Sequence, residues 1–193
     1  DEVWTSDNTE AFDRLRIQEG FTYAYSPKVM MAWVTDVPNM NGRSTPLQYR
    51  FLVAMQGSLG IGANLNKWQA QDFDLATRMI TLYKSIRTTV QTGDLFRLLS
   101  PREGEVTANQ YVSRDGKQAV LFAFLHSQQY GRPAPTFYLR GLQPEAIYRV
   151  KTIDRKLETP HETYSGAFLM NNGVHLHLTG DYDSTLVEFD RVD

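Results

Sequence analysis

Asp7 is the residue whose type and surroundings best suit it to move a proton. It follows a short apolar stub at residues 3–5, precedes a stretch that reads as a helix, and has Trp4 three residues before it. An indole wall beside a carboxyl removes water from the charged form and favours the protonated one, the state a general acid needs. The same position also reads as a helix cap. Asp7 and Glu10 have capping-box spacing within a cluster of cap-forming residues, Ser6-Asp7-Asn8-Thr9, and pattern alone favours the cap. Three further polar residues follow predicted strands: Asp36, and Asn64 with Asn66. Asp36 also reads as loop polarity ahead of Pro38, and the two asparagines as caps of the helix that comes next.

Other chemistry is thinly represented. His175 and His177 are two apart on a predicted strand and so share a face. No Asp, Glu or third His is spaced to complete a metal site with them, and cross-strand or surface histidines are the favoured reading. His126 and His161 have no recognisable partner. There are no cysteines, which excludes disulfides, thiolate metal sites and a cysteine nucleophile. It also favours a reducing compartment, and a cytoplasmic protein is the expectation. The chain contains no phosphate loop, G-x-S-x-G elbow or H-E-x-x-H motif. Gly57-Ser58-Leu59-Gly60-Ile61-Gly62 is glycine-rich, but its glycines fall inside a predicted strand rather than in a strand-to-helix turn, so close packing accounts for them better than dinucleotide binding.

The elements that must position these residues fall into two halves. In the first, a helix is predicted up to about Glu19, with Phe12 and Leu15 on one face and Gly20 as its stop. Residues 29–34 form an apolar run of the kind buried on both faces of a sheet. Thr45-Pro46-Leu47-Gln48 combines a cap, a first-turn proline and a capping-box glutamine. A short strand over 59–63 leads to a long helix with Leu75, Met79, Leu82, Tyr83, Ile86 and Val90 on one stripe. Three successive βα units imply a parallel sheet. Three units cannot cover such a sheet or close a barrel, so further strands are expected upstream. The opening Asp1-Glu2-Val3-Trp4, without an initiator Met or a basic-then-apolar leader, fits a chain that begins inside a longer one.

Near Asp94 the character changes. Strands are expected at 111–113 and 119–125 around an Asp115-Gly116 hairpin turn. A second hairpin is expected between 167–170 and 174–178 around Asn171-Asn172-Gly173, with further strands at 137–139, 147–153 and 186–189. This half reads as an antiparallel β-domain of sandwich type. With 193 residues, 41% of them hydrophobic and 12% aromatic, the chain can bury a core. A net charge of -2, from 20 basic and 22 acidic residues, offers no grip on nucleic acid or an anionic membrane. No apolar run approaches the roughly 20 residues that cross a bilayer.

Four stretches, in order, resemble bacterial α-galactosidases of glycoside hydrolase family 36. They are the segment from Val3 to Leu15 with its Trp4-Thr5-Ser6-Asp7-Asn8-Thr9-Glu10-Ala11 core; Tyr25-Ser26-Pro27 through Val37-Pro38-Asn39 to Arg43-Ser44-Thr45-Pro46-Leu47; Gly57-Ser58-Leu59-Gly60 with Leu65-Asn66-Lys67; and Gly93-Asp94-Leu95-Phe96-Arg97-Leu98-Leu99-Ser100-Pro101. The resemblance implies an α/β plus all-β chain. Residues 1–94 would be the last three βα units of a (β/α)8 barrel and residues 95–193 a C-terminal antiparallel β-domain. It also implies a retaining enzyme that releases terminal α-1,6-linked galactose from melibiose- and raffinose-type oligosaccharides, with no cofactor or metal.

Within that resemblance Asp7 matches the general acid/base and touches the substrate, which overturns its reading as a mere cap. The nucleophile would be an aspartate in a K-W-D-type motif on an earlier barrel strand. Lys67-Trp68 is followed by Gln69 and does not match it. The chain therefore holds half of a carboxyl pair, and alone it should be inactive. Trp33 and Asp36 depart from what many relatives carry. Full-length relatives imply a homo-oligomer, a tetramer, without nucleic-acid or membrane partners. Two alternatives accompany this reading: a raffinose-synthase-like transglycosylase, and a non-catalytic carbohydrate-binding or structural module in the second half, for which Tyr130 and Tyr164 would supply exposed aromatics.

Overall fold

Three parallel strand segments lie side by side in the first part of the chain. The stub at Val3 bridges Met30, with its N–H 2.7 Å from the Val29 carbonyl, and β1 (Met31–Val34) pairs with β2 (Ser58–Ile61) in register from Met31↔Ser58 to Val34↔Ile61. The computed structural model describes residues 1–133, 135–154 and 162–192, in two units, Asp1–Thr92 and Gly93–Asp193. Strand β1 starts later than its apolar run suggested, because Ser26 caps a 3-10 turn at Pro27–Val29. A Ser cap before a first-turn proline pre-organises a turn.

Helix α1 (Ala11–Thr22) does not begin where the cap-rich cluster predicted. Its N-cap is Glu10, whose carboxylate accepts from the backbone N–H groups of Phe12 (3.1 Å) and Asp13 (2.9 Å). Nor does Gly20 stop it; the helix continues to Thr22. Its buried face carries Leu15 together with Arg14 and Gln18, and Phe12 lies half-buried to one side. The Arg14 guanidinium ties the end of the stub to β1 by donating to Thr5 Oγ1 (2.5 Å) and to the Met31 carbonyl (2.7 Å). Burial pulls its pKa down to about 10, which leaves it cationic at neutral pH.

The Glu10 side chain is buried and paired with Arg43, which also sits 3.6 Å from Asp13 Oδ1 and 4.7 Å over the Phe12 ring. Asn41 (2.7 Å) and Asn8 (2.8 Å) both donate to Asp13 Oδ2. This cluster fastens the loop after β1 to the first turn of α1.

Helix α2 (Leu47–Ala54) has Pro46 at its N-cap position, so Thr45 does not cap it, and the Thr45 hydroxyl is buried without a hydrogen-bond partner among the described residues. Arg50 instead reaches back to the carbonyls of Thr45 (3.2 Å) and Thr35 (2.6 Å). Asn64 caps a short 3-10 turn, Leu65–Lys67, and not the long helix as expected. In α3 (Ala70–Thr92) the stripe Ala76, Met79, Tyr83, Ile86, Thr89 and Val90 is buried, while Leu75 and Leu82 sit at its margins. Tyr83 donates to the Gly57 carbonyl (2.7 Å) and accepts from the Leu59 N–H (3.3 Å), which clamps the start of β2. No helix among the described residues is long and apolar enough to cross a membrane.

The second unit is built on one antiparallel sheet. Its elements in chain order are β3 (Asp94–Leu99), β4 (Val106–Val112), β5 (Gln118–Leu125), β6 (Thr136–Phe137), β7 (Ile147–Thr152), β8 (Thr163–Ser165), α4 (Gly166–Asn171), β9 (Val174–His175) and β10 (Asp183–Arg191). Six strands pair in the order β3-β4-β5-β10-β7-β8, and β6 pairs separately with β9. The β4–β5 hairpin turns at Asp115-Gly116 as its sequence signals, with Gly116 at φ 69° and Asp115 Oδ1 accepting from Ser113 Oγ and the Lys117 N–H. Strand β5, a nearly unbroken apolar run, is buried on both faces. One face of the sheet packs Leu121, Ala123, Val187 and Phe189 against Phe137, Leu139, Leu169, Val174 and Leu176. In place of a second full sheet, the covering layer is the two-stranded ladder, α4 and the segments that join them.

Residues 167–170, expected as a strand, belong to helix α4. Ser165 caps it by accepting from the Phe168 N–H (3.2 Å), and the Asn171-Asn172-Gly173 signal serves as a helix stop, with Gly173 at φ 73°. A Cβ on Gly173 would lie 2.7 Å from Thr136 Cγ2 and 2.8 Å from the Phe137 carbonyl, whereas one on Gly180 (φ 82°) would meet nothing within 4 Å.

Two stability predictions follow for the full-length protein. Gly173→Ala, with both a backbone and a steric penalty, should lower the unfolding free energy by more than Gly180→Ala, which has only the backbone penalty of about 1 kcal/mol; paired denaturant titrations measure the difference. Arg43→Ala leaves the buried Glu10 carboxylate without its cation and should cost about 3 kcal/mol. Arg43→Lys should recover only part of that, and thermal melts of the three proteins rank them.

Candidate active site

The three parallel segments end on one side, and the polar residues singled out in the sequence follow those ends: Asp7 after the stub, Asp36 after β1 and Asn64 after β2. Because Glu10 takes the capping role, Asp7 is free of the helix and exposed. The segment between them is held by side chain-to-backbone bonds, with the Asn8 N–H to Ser6 Oγ (3.1 Å) and the Glu10 N–H to Asn8 Oδ1 (3.0 Å). Such Asx- and Ser-type turns give a loop a defined path without regular structure.

Trp4 does meet Asp7, but not as an apolar wall. Its indole Nε1–H donates to Asp7 Oδ1 at 2.9 Å, and with 53% of its surface exposed Trp4 does not shut water out. Asp7 makes no other hydrogen bond among the described residues. The arrangement is an accessible carboxyl with one oxygen held by a ring N–H and the other open to a ligand. Trp4 in turn packs on Trp33 of β1, with ring centroids 5.4 Å apart at 48°.

Asp36 and Asn64 come together with each other. Asp36 Oδ2 accepts from the Asn64 N–H (3.0 Å) and lies 3.9 Å from Lys67 Nζ, so Asp36 links the ends of β1 and β2. Asn66 Oδ1 is not needed for capping; its own N–H donates to Asn64 Oδ1 (3.2 Å). The sequence flagged Trp33 only as a departure from its relatives. Its pairing with Gly60, directly opposite in the β1–β2 register, appears only in the structure. The available signal was a large aromatic facing a glycine-rich strand.

The described histidines are structural or exposed. His126 is buried and shares a 2.7 Å hydrogen bond with Thr107 Oγ1, so it has the partner that sequence alone did not reveal. His175 and His177 are exposed on one face, with Thr136 Oγ1 3.4 Å from His175 Nδ1. No group of three metal-binding side chains gathers among the described residues. His161 lies outside them. Of the two tyrosines that a sugar-binding face would use, Tyr130 is fully exposed, but Tyr164 is buried and stacks on Phe168 at 4.9 Å.

Comparison with known proteins matches both units. A model described as Melibiase covers residues 1–93, and one described as Glycosyl hydrolase family 36 C-terminal domain covers residues 106–189. Alpha-galactosidase C of Emericella nidulans is 39% identical over 191 residues, 98% of this chain and 24% of that protein. Alpha-galactosidase AgaA of Geobacillus stearothermophilus is 34% identical over 176 residues, 91% of this chain and 23% of its own length. The similarity thus extends to fungal as well as bacterial proteins. Among solved structures, the GH36 α-galactosidase AgaB of G. stearothermophilus superposes with a TM-score of 0.91 at 34% identity, over 99% of this chain and 26% of that one. A variant of AgaA in complex with raffinose gives 0.91 at 30% identity over the same shares. The chain spans about a quarter of the length of the relatives it matches. With one family model on each of its two units, and full-length relatives aligned across both, the chain belongs to glycosyl hydrolase family 36.

Proposed function

We propose that this chain is the C-terminal portion of a retaining α-galactosidase that hydrolyses terminal α-1,6-galactosyl residues of melibiose- and raffinose-type oligosaccharides, with Asp7 as its general acid/base. Residues 1–94 would complete a (β/α)8 barrel whose earlier units lie upstream, and residues 95–193 would be the C-terminal β-domain. The full-length protein would be a homo-oligomer.

The observation that carries the reading is the position of Asp7: exposed, just beyond the end of a parallel strand, and relieved of capping by Glu10. Barrel enzymes place their catalytic groups past the C-terminal ends of strands. The raffinose-bound and stachyose-bound structures of AgaA variants, which superpose on this chain with TM-scores of 0.91, support the substrate class.

In the first step a carboxylate from the upstream part of the protein attacks the anomeric carbon while Asp7 gives its proton to the departing glycosidic oxygen. In the second step Asp7, now ionised, takes a proton from the water that releases galactose, so two inversions give net retention. A retaining pair stands about 5 Å apart across the sugar, which defines where the partner carboxylate must be.

Asp7→Asn in the full-length protein tests the role. The kcat/KM for raffinose should fall by about 100- to 10,000-fold. An aryl galactoside with an activated leaving group needs little protonation and should lose far less, and added azide, which needs no general base, should restore its turnover. Near-normal hydrolysis of raffinose by this variant would overturn the assignment.

A further inference from the structure

The carboxyl assigned to proton transfer stands at the end of a chain of contacts that crosses all three parallel segments. Asp7 Oδ1 accepts from the Trp4 indole on the stub; Trp4 packs on Trp33 of β1; Trp33 lies opposite Gly60 of β2. The last link is tight. A Cβ on Gly60 would fall 2.8 Å from Trp33 Cε3 and 2.9 Å from Cζ3, and one on Gly62 3.4 Å from Cε3. The Trp33 ring therefore occupies the space that side chains on β2 would otherwise fill.

Trp4 needs that support. It sits on a stub held to the sheet by the bridge Val3↔Met30 and by Arg14 through Thr5, and more than half of its own surface is exposed. One hydrogen bond on an exposed side chain is weak support for a defined geometry, while an aromatic contact against a ring that is itself seated restricts the indole's rotamers. Proton transfer is sensitive to such placement, since a displacement of about 1 Å can cost on the order of 100-fold in rate.

We infer that Trp4, Trp33 and Gly60 are positioning residues for the proton donor: Gly60 makes room for the Trp33 ring, Trp33 orients Trp4, and the Trp4 N–H aims the Asp7 carboxyl at the leaving-group oxygen. The inference rests on Asp7 being the acid/base. It assigns a role to Trp33, a residue in which this chain departs from its expected pattern, and accounts for a glycine in the middle of β2.

The test compares kcat/KM for raffinose and for 4-nitrophenyl α-galactoside in the full-length protein. Trp4→Phe keeps an aromatic ring, a smaller one, but removes the N–H; it should lose about 10- to 100-fold on raffinose and less than about 3-fold on the aryl substrate. Gly60→Ala and Trp33→Leu should show the same selectivity with smaller losses, about 3- to 10-fold on raffinose. If Gly60→Ala does not yield folded enzyme by near-ultraviolet circular dichroism, Trp33→Leu decides for the seat. Because Trp4 acts through Asp7, adding Trp4→Phe to Asp7→Asn should cost nothing further. Equal losses on both substrates, or full additivity with Asp7→Asn, would overturn the positioning role while leaving Asp7 as the acid. Normal raffinose turnover by Asp7→Asn alone would instead remove the acid role itself, so the two failures are distinct.

Discussion

The geometry around the candidate site depends on a carboxylate that does no chemistry. Glu10 is almost wholly buried, accepts two backbone N–H groups at the start of α1 and pairs with Arg43 from the loop after β1. A helix start offers unsatisfied donors and a favourable field for an anion. Two carboxylates lie within reach of this one in sequence, Asp7 and Glu10. Had Asp7 met those donors, it would be a structural anion tied to the backbone. Glu10 meets them, and its charge is balanced by Arg43, while Asn8 and Asn41 donate to the neighbouring Asp13 carboxylate beside the same guanidinium. The residue three positions upstream is left on the surface with a single indole for company.

A second constraint is the scarcity of space between β1 and β2. A Cβ on Gly60 would strike the Trp33 ring at 2.8 Å, and one on Gly57, just before β2, would strike the Met30 backbone carbonyl at 2.6 Å and its Cε at 3.0 Å. Small residues on one strand permit large ones on its neighbour. The Trp33 indole is the large partner of Gly60 near the end that carries Asp7, while at the far end Gly57 allows the chain to pass close to the Met30 carbonyl. The polar residues past the strand ends then divide the work. Asp36 and Asn64 bond to one another and join two strands, while Asp7 is left to face solvent.

Much of this was legible in the residues, and the misreadings have physical reasons. The long stripe of α3, the Asp115-Gly116 hairpin and the apolar runs of β1 and β5 declare themselves, because periodicity and turn chemistry act locally. The start of α1 did not: local preference points to Asp7 as the cap, whereas Glu10 holds that place with its carboxylate paired to Arg43, a partner far along the chain. Asn171-Asn172-Gly173 is ambiguous in sequence because a left-handed glycine suits a turn between strands and the end of a helix equally well; in the structure it ends α4, which Ser165 caps. Trp4 was expected to act through its apolar face and acts through its one polar atom, a distinction of rotamer that composition does not carry.

Strand β5 has a consequence for how this protein is made. It lies between β4, its immediate predecessor across a tight turn, and β10, the final strand in the described chain. A ribosome therefore delivers the most apolar strand of the sheet long before it delivers one of the two neighbours that will saturate its backbone. Throughout that interval the open edge of the nascent hairpin is a template for any other extended chain nearby. Truncations and stalled synthesis that stop short of Asp183 would release a sticky, half-paired ribbon, so the last strand acts as the clasp that makes the domain safe to leave in solution.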